Sequence, residues 1–130
     1  MKHLILLTED NEDVHSLVRR AVQDFPDVEL KIAFDGAEAL EVLRVVAPTK
    51  PELIILDGKM PKLNGCETLS AIRAKEGMAE LPIVLFSSSD EPKDLAEAER
   101  CKATAYVLKP LDVDKYVDLV RKMIGRYIKA

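Results

Sequence analysis

The chain has no tryptophan, three phenylalanines and three tyrosines, too few rings for a platform that stacks nucleic-acid bases. Nor does it carry an excess of positive charge. Nineteen Lys and Arg stand against 23 Asp and Glu, a formal charge of −4, which is the wrong sign for binding by neutralisation of nucleic-acid phosphates. Long apolar runs are missing as well. The longest near the N-terminus is Leu4 to Leu7, short of a secretory core and far short of the ~20 residues that cross a membrane. A cytoplasmic protein with neither a nucleic-acid nor a membrane partner is expected. Cysteine is confined to Cys66 and Cys101, which have no Cys or His at metal-ligand spacing and lie in apolar helical patterns, so they read as reduced core thiols. The two histidines, His3 and His15, open a strand and lie on a helix face respectively, and form no visible catalytic pair.

Hydrophobic residues, by contrast, make up 48% of 130 residues, enough for one self-sufficient core and therefore one domain over 1–130. They alternate between short apolar runs and longer amphipathic segments, the pattern of a parallel sheet wrapped by helices. Five such units follow one another. Strands are expected at His3–Leu7, Val28–Ile32, Leu53–Leu56, Ile83–Phe86 and Ala105–Leu108. Between them, helices are expected from about Asn11 to Phe25, Ala37 to Val46, Asn64-Gly65 to about Lys75 and Pro92 to about Cys101, with a last one after Asp112. Val28, Leu30 and Ile32 alternate with Glu29 and Lys31, which suits a sheet edge, whereas Leu53-Ile54-Ile55-Leu56 suits a centre buried on both faces. The expected class is α/β, a doubly wound, flavodoxin-like sheet of five parallel strands in the order 2-1-3-4-5.

In such sheets ligands bind beyond the carboxyl ends of the strands. Strand one ends in Glu9-Asp10-Asn11, strand three in Asp57-Gly58-Lys59-Met60-Pro61, strand four in Ser87 and strand five in Lys109-Pro110. Strands one and three are neighbours in this order, so Glu9, Asp10 and Asp57 crowd together and raise one another's pKa. A hard divalent cation, Mg²⁺ above all, relieves that crowding, and it usually binds one or two carboxylates together with phosphate oxygens. Lys109 then supplies a point charge for phosphoryl oxygens and Ser87 a donor, while Asp57, at the end of a rigid strand, suits a nucleophile forming an aspartyl phosphate. Each residue alone also has a bland reading as a cap or turn. Their joint placement at four strand ends favours a site.

These residues resemble the receiver domain of bacterial two-component response regulators over nearly the whole chain. The acid pair Glu9-Asp10, Asp57 with Met60-Pro61 behind it, Ser87, Tyr106 three residues before Lys109-Pro110, and the segment Asp35-Gly36-Ala37-Glu38-Ala39-Leu40 carry the likeness. The resemblance implies that Asp57 takes a phosphoryl group from a sensor histidine kinase. It implies Mg²⁺ held by Asp10, Asp57 and the Lys59 carbonyl, with Glu9 acting through water, and a switch pair of Ser87 and Tyr106. With one helix after Lys109, output is expected to pass to another protein. The stand-alone members that this chain resembles include chemotaxis-type switches, phosphorelay carriers that pass the group to a histidine phosphotransfer protein, and partners of bacterial phytochrome kinases, the last being the preferred group.

Three departures from the family pattern stand out. Lys59 sits two residues after the phosphoacceptor, where its ammonium would alter phosphoryl lifetime. Lys102 stands where the family usually has glycine at the end of helix four, which puts a left-handed cap there in question. Ser87 replaces the more usual threonine. In the last helix the apolar stripe is wider than a sheet-facing one, and its excess, Tyr116, Leu119, Met123 and Tyr127, is expected to form a partner or homodimer surface with helix four and strand five. Rival readings are a Mg²⁺-dependent aspartyl-phosphate phosphatase of haloacid-dehalogenase type, which wants Asp-x-Asp after strand one, a flavin carrier, and a receiver acting unphosphorylated as a binding module.

Overall fold

The structure, a computed structural model, describes residues 2–47, 49–58, 64–75, 77–88 and 91–128. Its elements run β1 (His3–Thr8), α1 (Glu12–Val22), β2 (Val28–Ala33), α2 (Gly36–Val46), β3 (Leu53–Asp57), α3 (Gly65–Arg73), β4 (Ile83–Ser87), α4 (Pro92–Arg100), β5 (Ala105–Leu108) and α5 (Val113–Tyr127). The strands pair in parallel, as the alternation of runs predicts, and in the order β2-β1-β3-β4-β5 expected of the flavodoxin-like class. β3 and β4 are buried throughout, and β2 alternates buried and open positions at one edge.

Because successive strand side chains point to opposite faces, the sheet divides the core in two. Ile5, Leu7, Leu53, Ile55, Val84 and Phe86 pack under α1 and α5, while Leu6, Ile54, Leu56, Ile83 and Leu85 pack under α2, α3 and α4. Local chemistry starts the helices. Asn11, Asp35 and Asp112 each accept a hydrogen bond from a first-turn N–H, and Asn64 and Glu67 form a reciprocal capping box. α1 is shorter than its apolar stripe suggests, ending at Val22, after which the Phe25 N–H bonds the Val22 carbonyl in a turn ahead of Pro26.

Three expectations are overturned. The excess stripe of α5 is not a free surface, because α1 lies beside α5 on the same sheet face and α5 must satisfy two neighbours. Tyr116 and Met123 are 4% and 6% exposed, and Leu119 and Tyr127 pack against the same core. Arg20–Asp114 at 3.3 Å and Arg121–Asp24 at 2.6 Å border that helix pair. The apolar side chains that do stand open on this side are Leu95 of α4, Leu108 of β5, and Leu111 and Val113 at the entry to α5.

Cys66 and Cys101 are not reduced core thiols but a disulfide, with their Cα atoms 5.7 Å apart. Sequence spacing is silent on this, since only the tertiary fold brings the first turn of α3 within bonding range of the C-terminal end of α4. Finally, the left-handed cap forms without glycine. Lys102 has φ 66°, and the Ala103 N–H reaches the Ala98 carbonyl at 3.1 Å across it. Arg73, the last residue of α3, secures that turn by donating to the Lys102 carbonyl and to Thr104 Oγ1.

Candidate functional site

Register places the site residues. Thr8 pairs with Leu56, so Glu9 and Asp57 each stand one step past a matched pair on neighbouring strands, and Ser87 pairs with Leu108, one step before Lys109. Backbone bonds carry the ladder past the strand ends: Glu9 N–H to the Ala33 carbonyl (3.0 Å), Gly58 N–H to Phe86 (2.7 Å) and Lys109 N–H to Ser87 (2.7 Å). Backbone pairing thus continues one residue beyond the strands that carry Glu9, Asp57 and Lys109.

Glu9 and Asp57 are 3% and 7% exposed, and Lys109 Nζ bridges them, 3.1 Å from Glu9 Oε1 and 3.2 Å from Asp57 Oδ1. Glu9 Oε2 accepts the Asn11 N–H at 3.1 Å. Burial first, and the Asp57 charge second, push the Glu9 carboxyl up to about 7 against the opposing pull of Lys109 and the Asn11 amide. For Lys109, burial works against its charge, but Asp57 and Glu9 outweigh it and hold its pKa above the usual lysine value.

Asp10 is exposed at the mouth of the site, and one carboxylate oxygen from each of Glu9, Asp10 and Asp57 lies within 4.8 Å of the others. The α1 cap is Asn11, so neither Glu9 nor Asp10 is needed there. Three hard oxygen donors around one point, with a lysine already balancing two of them, fit a divalent cation of the Mg²⁺ class. Ser87 is buried beside Gly58, and Tyr106 lines a cavity of about 510 Å³ with Gly58, Asn64, Cys66, Leu85 and Ser87. Lys59, Met60 and Pro61 lie outside the described residues.

Two contributors escape a reading by residue type. Gly65 brings α3 against the end of β3, and a Cβ there would stand 2.8 Å from the Asp57 carbonyl oxygen. An Asn-Gly pair signals a turn but not this approach. His15 is buried with its Nε2 donating to the Glu9 carbonyl at 2.6 Å, and its ring meets Phe34 edge-on at 5.0 Å. It therefore props the backbone of the acid pair from α1.

This strand order, with clustered carboxylates and one lysine at its carboxyl edge, is the CheY-like receiver architecture of two-component signalling. The chain belongs to the response regulator receiver domain family, whose profile matches residues 5–121. It is 31% identical over 115 residues to the probable methanogenesis regulatory protein FilR2 of Methanothrix harundinacea (strain 6Ac), covering 85% of this chain and 74% of FilR2. It is 30% identical over 122 residues to the transcriptional regulatory protein PrrA of Mycobacterium leprae (strain TN), covering 94% of this chain but only 50% of PrrA. Among solved structures, the phosphorylated cyanobacterial phytochrome response regulator RcpA superposes with TM-score 0.91 at 25% identity, covering 99% of this chain and 96% of RcpA. The Mn(2+)-bound form of response regulator Rcp1 gives 0.86 at 25% identity, covering 98% and 96%. Among the described residues no helix is long and apolar enough to cross a membrane.

Proposed function

We propose that this chain is a phosphorylation-controlled switch whose phosphoacceptor is Asp57. The observation that carries the reading is the buried Asp57 held at the end of a fully buried strand with Lys109 Nζ 3.2 Å away. The donor is a phosphohistidine of a sensor kinase. A carboxylate oxygen of Asp57 attacks phosphorus, the phosphorus–nitrogen bond breaks, and the leaving imidazole keeps the electron pair and takes a proton. Asp10, Asp57 and the Lys59 carbonyl would hold Mg²⁺, with Glu9 reaching it through water. When bound, that ion neutralises the carboxylates and the entering phosphoryl oxygens. Lys109 exchanges its hold on Asp57 for a phosphoryl oxygen, and Ser87 donates to another.

The resulting movement of Ser87 draws Tyr106 inward and alters the α4–β5–α5 side, where Leu95, Leu108, Leu111 and Val113 stand open for a downstream partner or a second copy. A kinase of the bacterial phytochrome class is the donor favoured by the likeness to RcpA, itself a phytochrome response regulator. Mg²⁺ as the ion is supported by the oxygen donor set and by the Mn(2+)-bound form of Rcp1.

Acetyl phosphate with Mg²⁺, followed by intact mass, tests the reading. A single phosphoryl addition that vanishes in Asp57→Asn is expected. Steady release of phosphate without accumulation would favour the phosphatase, and no reaction at all would leave a binding module. A Lys59→Ala variant, followed for loss of the added mass, measures whether that lysine governs phosphoryl lifetime.

A further inference from the structure

The disulfide joins the first turn of α3 to the C-terminal end of α4, and the two ends are anchored very differently. α3 begins at Gly65, whose N–H bonds the Gly58 carbonyl at 3.3 Å and whose Cα lies against the Asp57 carbonyl, so Cys66 is one residue from the backbone of the phosphoacceptor strand. α4 is lightly held. It buries only Ala98 among its own residues. The cavity of about 510 Å³ lies between these two helices and Tyr106, with Cys66, Asp94, Glu97 and Ala98 on its wall.

We infer that Cys66–Cys101 is a reversible thiol–disulfide site that clamps α4 to the phosphoacceptor end of the sheet and so sets how readily the chain takes its activated form. The inference rests on the phosphorylation-switch reading above. A disulfide confines the two Cα atoms to roughly 4.4–6.8 Å, so from 5.7 Å the oxidised chain lets α4 draw away from α3 by only about an ångström. A turn of Tyr106 into the cavity brings its ring toward Asp94, Glu97 and Ala98 on the α4 wall, so the position of α4 sets how far the ring can go. The oxidised form resists that step, and the reduced form permits it.

Contacts other than the disulfide also hold the end of α4: Arg73 donates to the Lys102 carbonyl at 3.0 Å, and Ala98 and Cys101 are among the core residues of that face. The freed thiols also have acceptors ready: Cys66 Sγ lies 3.2 Å from the Glu97 carbonyl oxygen and Cys101 Sγ 3.4 Å from that of Ala98. Cys66 borders the cavity whereas Cys101 is 9% exposed, so an incoming thiolate reaches Cys66 first. The reductant is a small dithiol. Its thiolate attacks Cys66 Sγ, the Cys66–Cys101 bond breaks, and Cys101 leaves as a thiolate and takes a proton. The second thiol of the reductant, deprotonated, then attacks its own sulfur in the mixed disulfide, which releases the cyclic disulfide and the Cys66 thiol.

The test uses the full chain with beryllofluoride and Mg²⁺, titrated by thermal shift before and after dithiothreitol, with alkylation and intact mass counting free thiols. Reduced protein is expected to bind beryllofluoride at least fivefold more tightly than oxidised protein. The Cys66→Ser/Cys101→Ser variant is expected to match the reduced form and ignore dithiothreitol. Equal affinity in the two redox states overturns the clamp and leaves the phosphorylation reading intact, as does a disulfide that opens only on unfolding. If neither state binds beryllofluoride, the phosphorylation reading itself fails and takes the clamp with it. Should the double variant fold poorly, the comparison of oxidised and reduced wild type decides alone.

Discussion

A carboxyl group buried beside a second carboxylate gives up its proton late, and Glu9 is placed in that way, with its pKa moved from 4.5 to about 7. Between those values the folded chain binds more protons than the unfolded one, so this residue's contribution to stability is complete below about 4.5 and is lost as pH rises through about 7. Relative to Glu9→Gln, wild type without divalent ions should lose roughly 3 kcal/mol between pH 4.5 and 8, read from urea unfolding at each pH. A cation that draws on the charged form must displace the proton. Calorimetric Mg²⁺ affinity should therefore fall several-fold from pH 8 to pH 6 in wild type and stay nearly flat in the variant.

Two glycines in helices make opposite predictions at the same scale. A Cβ at Gly65 would stand 2.8 Å from the Asp57 carbonyl oxygen, a backbone atom that cannot step aside, whereas one at Gly125 of α5 would meet nothing within 4 Å. Gly65→Ala should cost about 1–3 kcal/mol and disturb the site. Gly125→Ala should add about 0.5–1 kcal/mol through reduced backbone entropy of the unfolded chain. Urea midpoints of the two variants check both signs.

Among elements, α4 is the one built least by its own sequence. Pro92 starts it and Ala98 is its single buried residue, so its place depends on what holds its C-terminal end: Cys101, Lys102 and Arg73. Lys102 sits at φ 66°, a conformation that costs a residue with a Cβ about 1 kcal/mol more than glycine. Lys102→Gly should thus raise stability by about 0.5–1 kcal/mol at unchanged denaturant slope, a measurement that also checks the cap. α5 illustrates the converse. Its wide stripe was legible, but the partner that covers it was not, because helical periodicity reports which face is apolar and says nothing of whether one neighbour or two will bury it.

At the scale of the whole molecule, the sheet gathers four strand ends into one acidic pocket and leaves α4, β5 and the entry to α5 as the open apolar side. Ligand bound only by the folded state stabilises it by mass action. Beryllofluoride with Mg²⁺ at a hundredfold excess over its dissociation constant should raise Tm by roughly 10 °C, and Asp57→Asn should abolish the shift.

The five strand-helix units and the edge position of β2 could be read from the chain, because period-two runs and capping residues are local constraints; the gathering of Glu9, Asp10, Asp57, Ser87 and Lys109 follows once the strand order of the flavodoxin-like class is taken over. Only tertiary structure decided that Tyr116 and Met123 are core, that Cys66 meets Cys101, that Lys102 takes a left-handed turn, and that Gly65 touches the Asp57 backbone. Each of these depends on how two helices or a helix and a strand settle against each other. That docking is set by the summed packing of many side chains, and no single stretch of sequence encodes it.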